Sequence, residues 1–224
     1  MIISHRHRFI FLKTRKTAGT SIEMALRPLL GPEDISTPWE PDEETTFGEP
    51  GPSNYDIGEP RWTLRNISRW VRGKPRRRQR LYDHDSAETV RAHVGEDVWN
   101  EYYRFCVERN PWDRQASLYY YNLKRHNRTG TFAQSLERRR SIVDNWKIYT
   151  IDDVIAVNDV LRYESLADDF AAACRRIGID APVLPRAKSG LRDAGSYRPL
   201  YDDALREKVA RMYRKEIEAF GYEF

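Results

Sequence analysis

At 224 residues the chain has the length of one medium-sized domain, able to bury a core and still shape a cleft. Hydrophobic residues are 40% and charged residues 32%, and the 6 Trp, 13 Tyr and 8 Phe give the core enough bulk to exclude a disordered chain. A net charge of +4 is too small for the electrostatic footprint of a nucleic-acid binder, and no apolar run nears the ~20 residues that span a bilayer. The opening Met1 to Arg8 has no leader pattern, and two cysteines, Cys106 and Cys174, make neither a disulfide framework nor a zinc site, so a soluble, cytoplasmic, reduced protein is expected. Arginine outnumbers lysine 30 to 8, and its planar fork suits phosphate, sulfate and carboxylate, although an arginine-rich surface reads equally well.

Phe9-Ile10-Phe11-Leu12 is apolar throughout and long enough for one buried strand. A polar stretch from Lys13 to Thr20 follows, and Ser21 to Leu26 then has helix character, stopped by Pro28 and Gly31-Pro32. Residues 36–60 hold five prolines and seven acids with no Lys or Arg, whereas 61–80 hold nine basic residues and no acid. Few aliphatics occur in either, so 36–80 is expected to be a long, loop-rich surface insertion in a single domain spanning 1–224, a pattern seen in lids. Its basic run Arg72 to Arg80 invites a nucleic-acid reading that the neighbouring acids oppose.

Asp85-Ser86-Ala87-Glu88 resembles a capping box, predicting one helix to about Tyr103. Arg104 to Val107 is a second strand, Asn110-Pro111 opens a helix, and Val160 to Tyr163 is a third strand. A helix over Leu166 to Ile177 ends at Gly178, and one last helix spans about Asp202 to Phe220. Strands alternating with helices predict an α/β protein with a central parallel sheet flanked by helices, whose ligands bind beyond the carboxyl ends of the strands.

Two loops sit at such ends. Lys13-Thr14-Arg15-Lys16-Thr17-Ala18-Gly19-Thr20-Ser21 joins a strand to a helix N-terminus, where unpaired amides and the helix dipole favour an anion. Gly19 would let the backbone approach that anion, Thr17, Thr20 and Ser21 carry hydroxyls, and Lys16 supplies a mobile cation. The loop lacks the glycines of G-x-x-x-x-G-K-[ST], so it is not a nucleotidase P-loop. In the second loop, Arg109 at the strand end and Ser117 two turns along the helix could converge on one anion. Alone, that loop reads at least as well as a capped helix with Arg109 and Arg114 in surface ion pairs.

Together the loops resemble those of sulfotransferases that use 3′-phosphoadenosine 5′-phosphosulfate (PAPS), nearest to the branch of bacterial enzymes related to Golgi carbohydrate sulfotransferases. Lys16 to Ser21 is similar to the K-T-x-G-T-[ST] loop that holds the 5′-phosphosulfate, and Arg109 to Ser117 to the R-[ND]-P-x-x-R-x-x-S loop that holds the 3′-phosphate. Tyr82 to Ala87 resembles the H-x-x-A segment, and Arg162 to Leu166 the R-[FY]-E-x-L segment. Leu184 to Lys188 and Phe220 to Phe224 also look like family segments. Arg15 departs from the family, many of whose members have Pro there, making the loop more basic.

The resemblance implies a P-loop-like three-layer fold, PAPS as sulfuryl donor with no metal, and in-line transfer to a hydroxyl or amine of an unidentified acceptor, with a carbohydrate or small metabolite favoured. It assigns Lys16, Thr17, Ala18, Gly19, Thr20, Ser21, Arg109 and Ser117 to donor binding, Lys16 to the leaving-group charge and His84 to the role of base. From the residues alone His84 reads as a surface or capping histidine. Glu164 is an alternative base, with a buried ion pair to an arginine the favoured role. Lys188 and Arg192 belong to a late basic loop that either closes over the nucleotide or is solvated. The competing readings are a P-loop-like nucleotide kinase and a non-catalytic anion- or nucleic-acid-binding protein.

Overall fold

A computed structural model describes residues 1–39, 50–56, 58, 67–68, 71–72, 80–125, 128–138, 142–185 and 196–224. Strands β1 (Ile2–Ser4), β2 (Phe9–Phe11), β3 (Ile35–Ser36) and β4 (Tyr103–Glu108) precede a small hairpin of β5 (Thr150–Ile151) and β6 (Val154–Ile155), and β7 (Asp159–Arg162) follows it. The main sheet has the order β3-β1-β2-β4-β7. β2 pairs with β4 and β4 with β7 in parallel, as expected; β1 pairs antiparallel with both β2 and β3. That antiparallel strand is a correction, since three residues at the start of the chain carry too little alternation to reveal it.

The period of two along each strand sorts the core into two faces. Ile2, Phe9, Phe11, Phe105, Val107 and Leu161 meet one set of helices. Ile3, Ile10, Leu12 and Cys106 meet another. The first face is covered by α1 (Gly19–Leu26), through Ile22, Ala25 and Leu26. The second is covered by α2 (Ala87–Val94) and α3 (Glu96–Glu101), through Ala87, Val90 and Trp99. Beyond the strand ends lie α4 (Pro111–Arg125) and α5 (Phe132–Leu136), and α6 (Trp146–Tyr149) adds Ile148 and Tyr149 to the second face. The helix α7 (Leu166–Arg176) adds Phe170, Ala173 and Cys174 to the first face. The C-terminal α8 (Asp203–Met212) and α9 (Arg214–Phe220) close a third cluster around Trp112, Phe132, Val209 and Tyr213. Helices on both faces of a mostly parallel sheet make the three-layer α/β arrangement expected.

Two long helices are each divided. The helix expected from Ser86 to Tyr103 breaks at Gly95, whose φ of 82° leaves the helical range, and its cap is the Ser86 side chain accepting from Thr89 N–H at 3.3 Å. The helix expected over 202–220 breaks at Tyr213, after Asp202 caps it by accepting from Leu205 N–H at 2.8 Å. The expected surface insertion also begins inside the protein. Ser36, Thr37 and Trp39 are buried, and bridges join Ser36 to Ser53 and Asp56 to Arg80. Most of 40–79, including most of the basic run, lies outside the described residues.

One ionic group ties the sheet to its C-terminal helices. Arg114, fully buried on α4, bonds Glu108 at the end of β4 and reaches Glu216 of α9 at 3.1 Å, with Tyr213 against its guanidinium at 4.5 Å. Arg114 is therefore not in the surface ion pair anticipated for it. Burial opposes its charge, but the two carboxylates override this and hold its pKa above the ordinary value. Removing one member of a buried ion pair strands the others, at about 3–5 kcal/mol. Arg114→Met should lower the unfolding free energy by about that amount in urea denaturation. A loss below ~1 kcal/mol would mean that Glu108 and Glu216 do not depend on Arg114.

Candidate active site

The first loop leaves β2 with its backbone still bound to the sheet, Leu12 N–H donating to Phe105 carbonyl at 2.9 Å. The Thr14 hydroxyl then donates to the Val107 carbonyl, tying the loop to β4. Lys16 and Ala18 both adopt left-handed backbone, with φ of 63° and 64°. For residues with a Cβ this costs roughly 1–2 kcal/mol each, so the surroundings must impose it. Ala18 occupies the N-cap position of α1, where no side chain caps the helix, and the first turn carries no acid. The positive end of the helix dipole therefore faces the loop without an anion of the helix's own.

The residues of this loop divide by what they can offer. The Thr17 hydroxyl is fully buried and engaged with Thr14, 2.7 Å from its hydroxyl and 3.3 Å from its carbonyl. Thr17 can thus offer a ligand its amide rather than the hydroxyl anticipated from the sequence. Thr20 and Ser21 are buried at the start of α1. Packing places its own demand on Gly19: a Cβ there would lie 2.7 Å from Lys13 Cγ. Lys13 cannot swing away, because its ammonium bonds Glu23 at 2.7 Å and Asp83 at 2.5 Å.

The second loop comes against the first. Arg109 is buried; Nε and Nη2 hold Asp113 at 2.8 and 2.6 Å, and Nη1 donates to the Lys16 carbonyl at 3.3 Å. Its guanidinium stacks over Tyr163 at 3.9 Å. An arginine fork has more N–H groups than these contacts use, so the geometry leaves donors for an anion. Asp113, Ser117 and Tyr121 recur every fourth residue on α4 and therefore share one face. That face meets the first loop, because Lys16 Nζ sits 3.8 Å above the Tyr121 ring. Lys16 and Arg109 thus meet at the carboxyl ends of two adjacent parallel strands, and Ser117 lies on the α4 face between Asp113 and Tyr121. Glu164 is not in a buried ion pair with an arginine. It is exposed and accepts from Asn110 N–H at 2.7 Å, steadying the second loop from the end of β7.

His84 lies on the other side of the first loop, two residues before the cap of α2. Its Nδ1 is 2.8 Å from the Lys13 carbonyl. A carbonyl only accepts, so Nδ1 carries the proton and Nε2 is left with its lone pair. Burial, helped by the nearby Arg15 and Lys13 charges, lowers its pKa to about 4. The turn bearing it is anchored by Asp83, which meets Lys13, the Thr37 hydroxyl at 2.5 Å and the Met1 amino group at 3.3 Å. Burial penalises the charges here too, yet mutual attraction prevails, holding Asp83 below the ordinary carboxylate range and Lys13 above the ordinary ammonium value.

The chain order hides several partners. Asn145, fully buried, accepts from Arg15 N–H at 2.8 Å and donates to Arg15 carbonyl at 3.1 Å. It stands 130 positions from that partner, and no local pattern marks it. Tyr121 and Tyr163 could have been suspected, since one follows Ser117 by a helical turn and the other lies inside the Arg162-Tyr163-Glu164 segment. Lys188 and Arg192 lie outside the described residues. Among the described residues no cluster of His, Cys, Asp and Glu could hold a metal ion, and no helix is long and apolar enough to cross a membrane.

Several known proteins are similar to this chain. An uncharacterized protein of Archaeoglobus fulgidus is 30% identical over 122 residues, covering 50% of this chain and 95% of that one. Among solved structures, a sulfotransferase from Alicyclobacillus acidocaldarius is similar at 17% identity and a TM-score of 0.44, covering 96% of each chain. A mouse sulfotransferase solved with PAP is similar at 14% identity and a TM-score of 0.46, covering 97% of this chain and 87% of that one. The Sulfotransferase family model matches residues 1–168, a span that takes in both loops, His84 and Glu164. The chain therefore belongs to the sulfotransferase family, whose members move sulfuryl groups.

Proposed function

We propose that the protein transfers a sulfuryl group from PAPS to a hydroxyl of a carbohydrate or small metabolite, in the cytoplasm. The observation that carries this reading is the meeting of two anion-type loops: Arg109 of one donates to the Lys16 carbonyl of the other, at the ends of neighbouring parallel strands. A nucleotide with phosphates at its 5′ and 3′ positions needs two such sites at a fixed separation. The residues fit it. The uncapped start of α1, with the amides of 17–20 and Lys16, suits the 5′-phosphosulfate, and Arg109 with Ser117 suits the 3′-phosphate. Both cysteines are buried free thiols, which accords with a reducing compartment.

The donor supplies the sulfuryl group. As the new bond forms between sulfur and the acceptor oxygen, the bond to the bridging oxygen breaks, and its electron pair stays with the 5′-phosphate. Lys16 leaves Tyr121 to meet that charge, and the α1 amides share it. The acceptor proton passes to His84 Nε2, which the Nδ1 bond to Lys13 keeps in the accepting tautomer. In a kinase the same strand-loop-helix would instead use magnesium and ATP.

In an assay with labelled PAPS and a panel of hydroxyl acceptors, transfer should proceed in EDTA. Lys16→Ala should lower turnover by roughly 10²- to 10³-fold while changing donor affinity far less, because the charge it meets peaks in the transition state. A pure affinity defect would remove Lys16 from the leaving group, and magnesium-dependent phosphoryl transfer from ATP would replace this reading by the kinase. His84→Ala should cost roughly 10²- to 10⁴-fold in turnover and leave nucleotide binding nearly unchanged. Its lowered pKa fixes the sign of the pH effect: wild-type His84 stays neutral until pH falls to about 4, so the acidic limb lies there and not near 6.5. The variant should lack this limb. A variant with the same profile and most of its turnover would make His84 structural.

A further inference from the structure

We infer that Asn145 is a positioning residue for the donor site, holding the first loop in register with the second; this rests on the reading of the two loops as one nucleotide site. Asn145 turns its side chain toward the first loop. It precedes α6, where an asparagine ordinarily caps the helix with its side chain, but no such bond forms. Its amide instead pairs with both backbone groups of Arg15, as a neighbouring strand would. The orientation is unambiguous, because Arg15 N–H can only donate and its carbonyl only accept.

The second amide hydrogen of Asn145 points to Glu108 Oε1 at 3.4 Å. That same oxygen accepts from Arg109 N–H at 2.9 Å and from Arg114. A continuous hydrogen-bonded chain thus runs from the backbone before Lys16, through the buried Asn145 and Glu108, to the backbone of Arg109. Glu108 is held in turn by Tyr149 at 3.2 Å. Each end of the chain sits next to a residue assigned to a different phosphate. A ligand that engages both phosphates gains from having the loops preset, because it need not spend its binding free energy on ordering them. A ligand that engages only one gains nothing from the link. Asn145 is therefore expected to act on the preference for two phosphates and not on binding in general.

The test is calorimetry on the full chain with adenosine 3′,5′-bisphosphate and adenosine 5′-phosphate, for the wild type, Asn145→Ala and Asn145→Ser, with melting temperatures taken alongside. The wild type should prefer the bisphosphate. The variants should lose roughly 5- to 30-fold of that preference, the worth of one or two hydrogen bonds, and keep their affinity for the monophosphate. Equal losses for both ligands, or an unchanged preference, would overturn the inference while leaving the donor site intact. A wild type with no preference would remove the donor reading itself. Should the variants not fold, amide exchange in the wild type decides: Arg15 N–H should exchange as slowly as the amides of β2, and exchange at the rate of an open loop would overturn the inference.

Discussion

The carboxylate of Glu108, at the end of the middle parallel strand and fully buried, is the constraint on which the rest depends. A buried carboxylate must be met by donors on every side, or its desolvation goes uncompensated. Here the donors come from four directions: Arg114 from α4, the backbone of Arg109, Asn145 from before α6, and Tyr149 from within it. Satisfying one charge therefore fixes where the second loop starts, how α4 leaves the sheet and how far the first loop can move. Arg114 extends the same network to Glu216, which seats the C-terminal helices.

A second buried charge group stands on the far side of the first loop. Lys13 lies between Glu23 and Asp83, and Trp39 Nε1 donates to Glu23 at 2.8 Å. This group ties α1 to the turn that carries His84, and the Lys13 carbonyl sets that imidazole's tautomer. The first loop is thus held at both flanks by ionic networks that are themselves closed, while its crest, with Lys16 and Ala18 in left-handed backbone, faces the Arg109 side. Loops that bind anions gain from this, because preset amides need not be reordered when charge arrives or moves.

Much of this was legible in the residue order. The segments Phe9 to Leu12 and Arg104 to Val107 marked two strands, each followed by a loop opening a helix, and the two pair in parallel. Local signals of that kind fix which loops share a sheet edge. They do not fix what holds the loops together. Asn145 and Arg15 are far apart in sequence, and Glu216 meets Arg114 across 102 positions, so neither pairing leaves a periodic trace. Gly95 and Tyr213 broke helices that amphipathic spacing carried straight through, because spacing senses the buried face and not the backbone angle. The room that Gly19 leaves for the Lys13 side chain has no signal in the residue order either.

The most direct measurement is a crystal structure of the protein with adenosine 3′,5′-bisphosphate, grown in EDTA. The account predicts the 5′-phosphate on the amides at the start of α1 with Lys16 drawn off Tyr121, the 3′-phosphate on Arg109 and Ser117, and the Asn145–Arg15 pair unbroken. A nucleotide bound elsewhere, or bound with only one phosphate in contact with these loops while Lys16 stays on Tyr121, would contradict it.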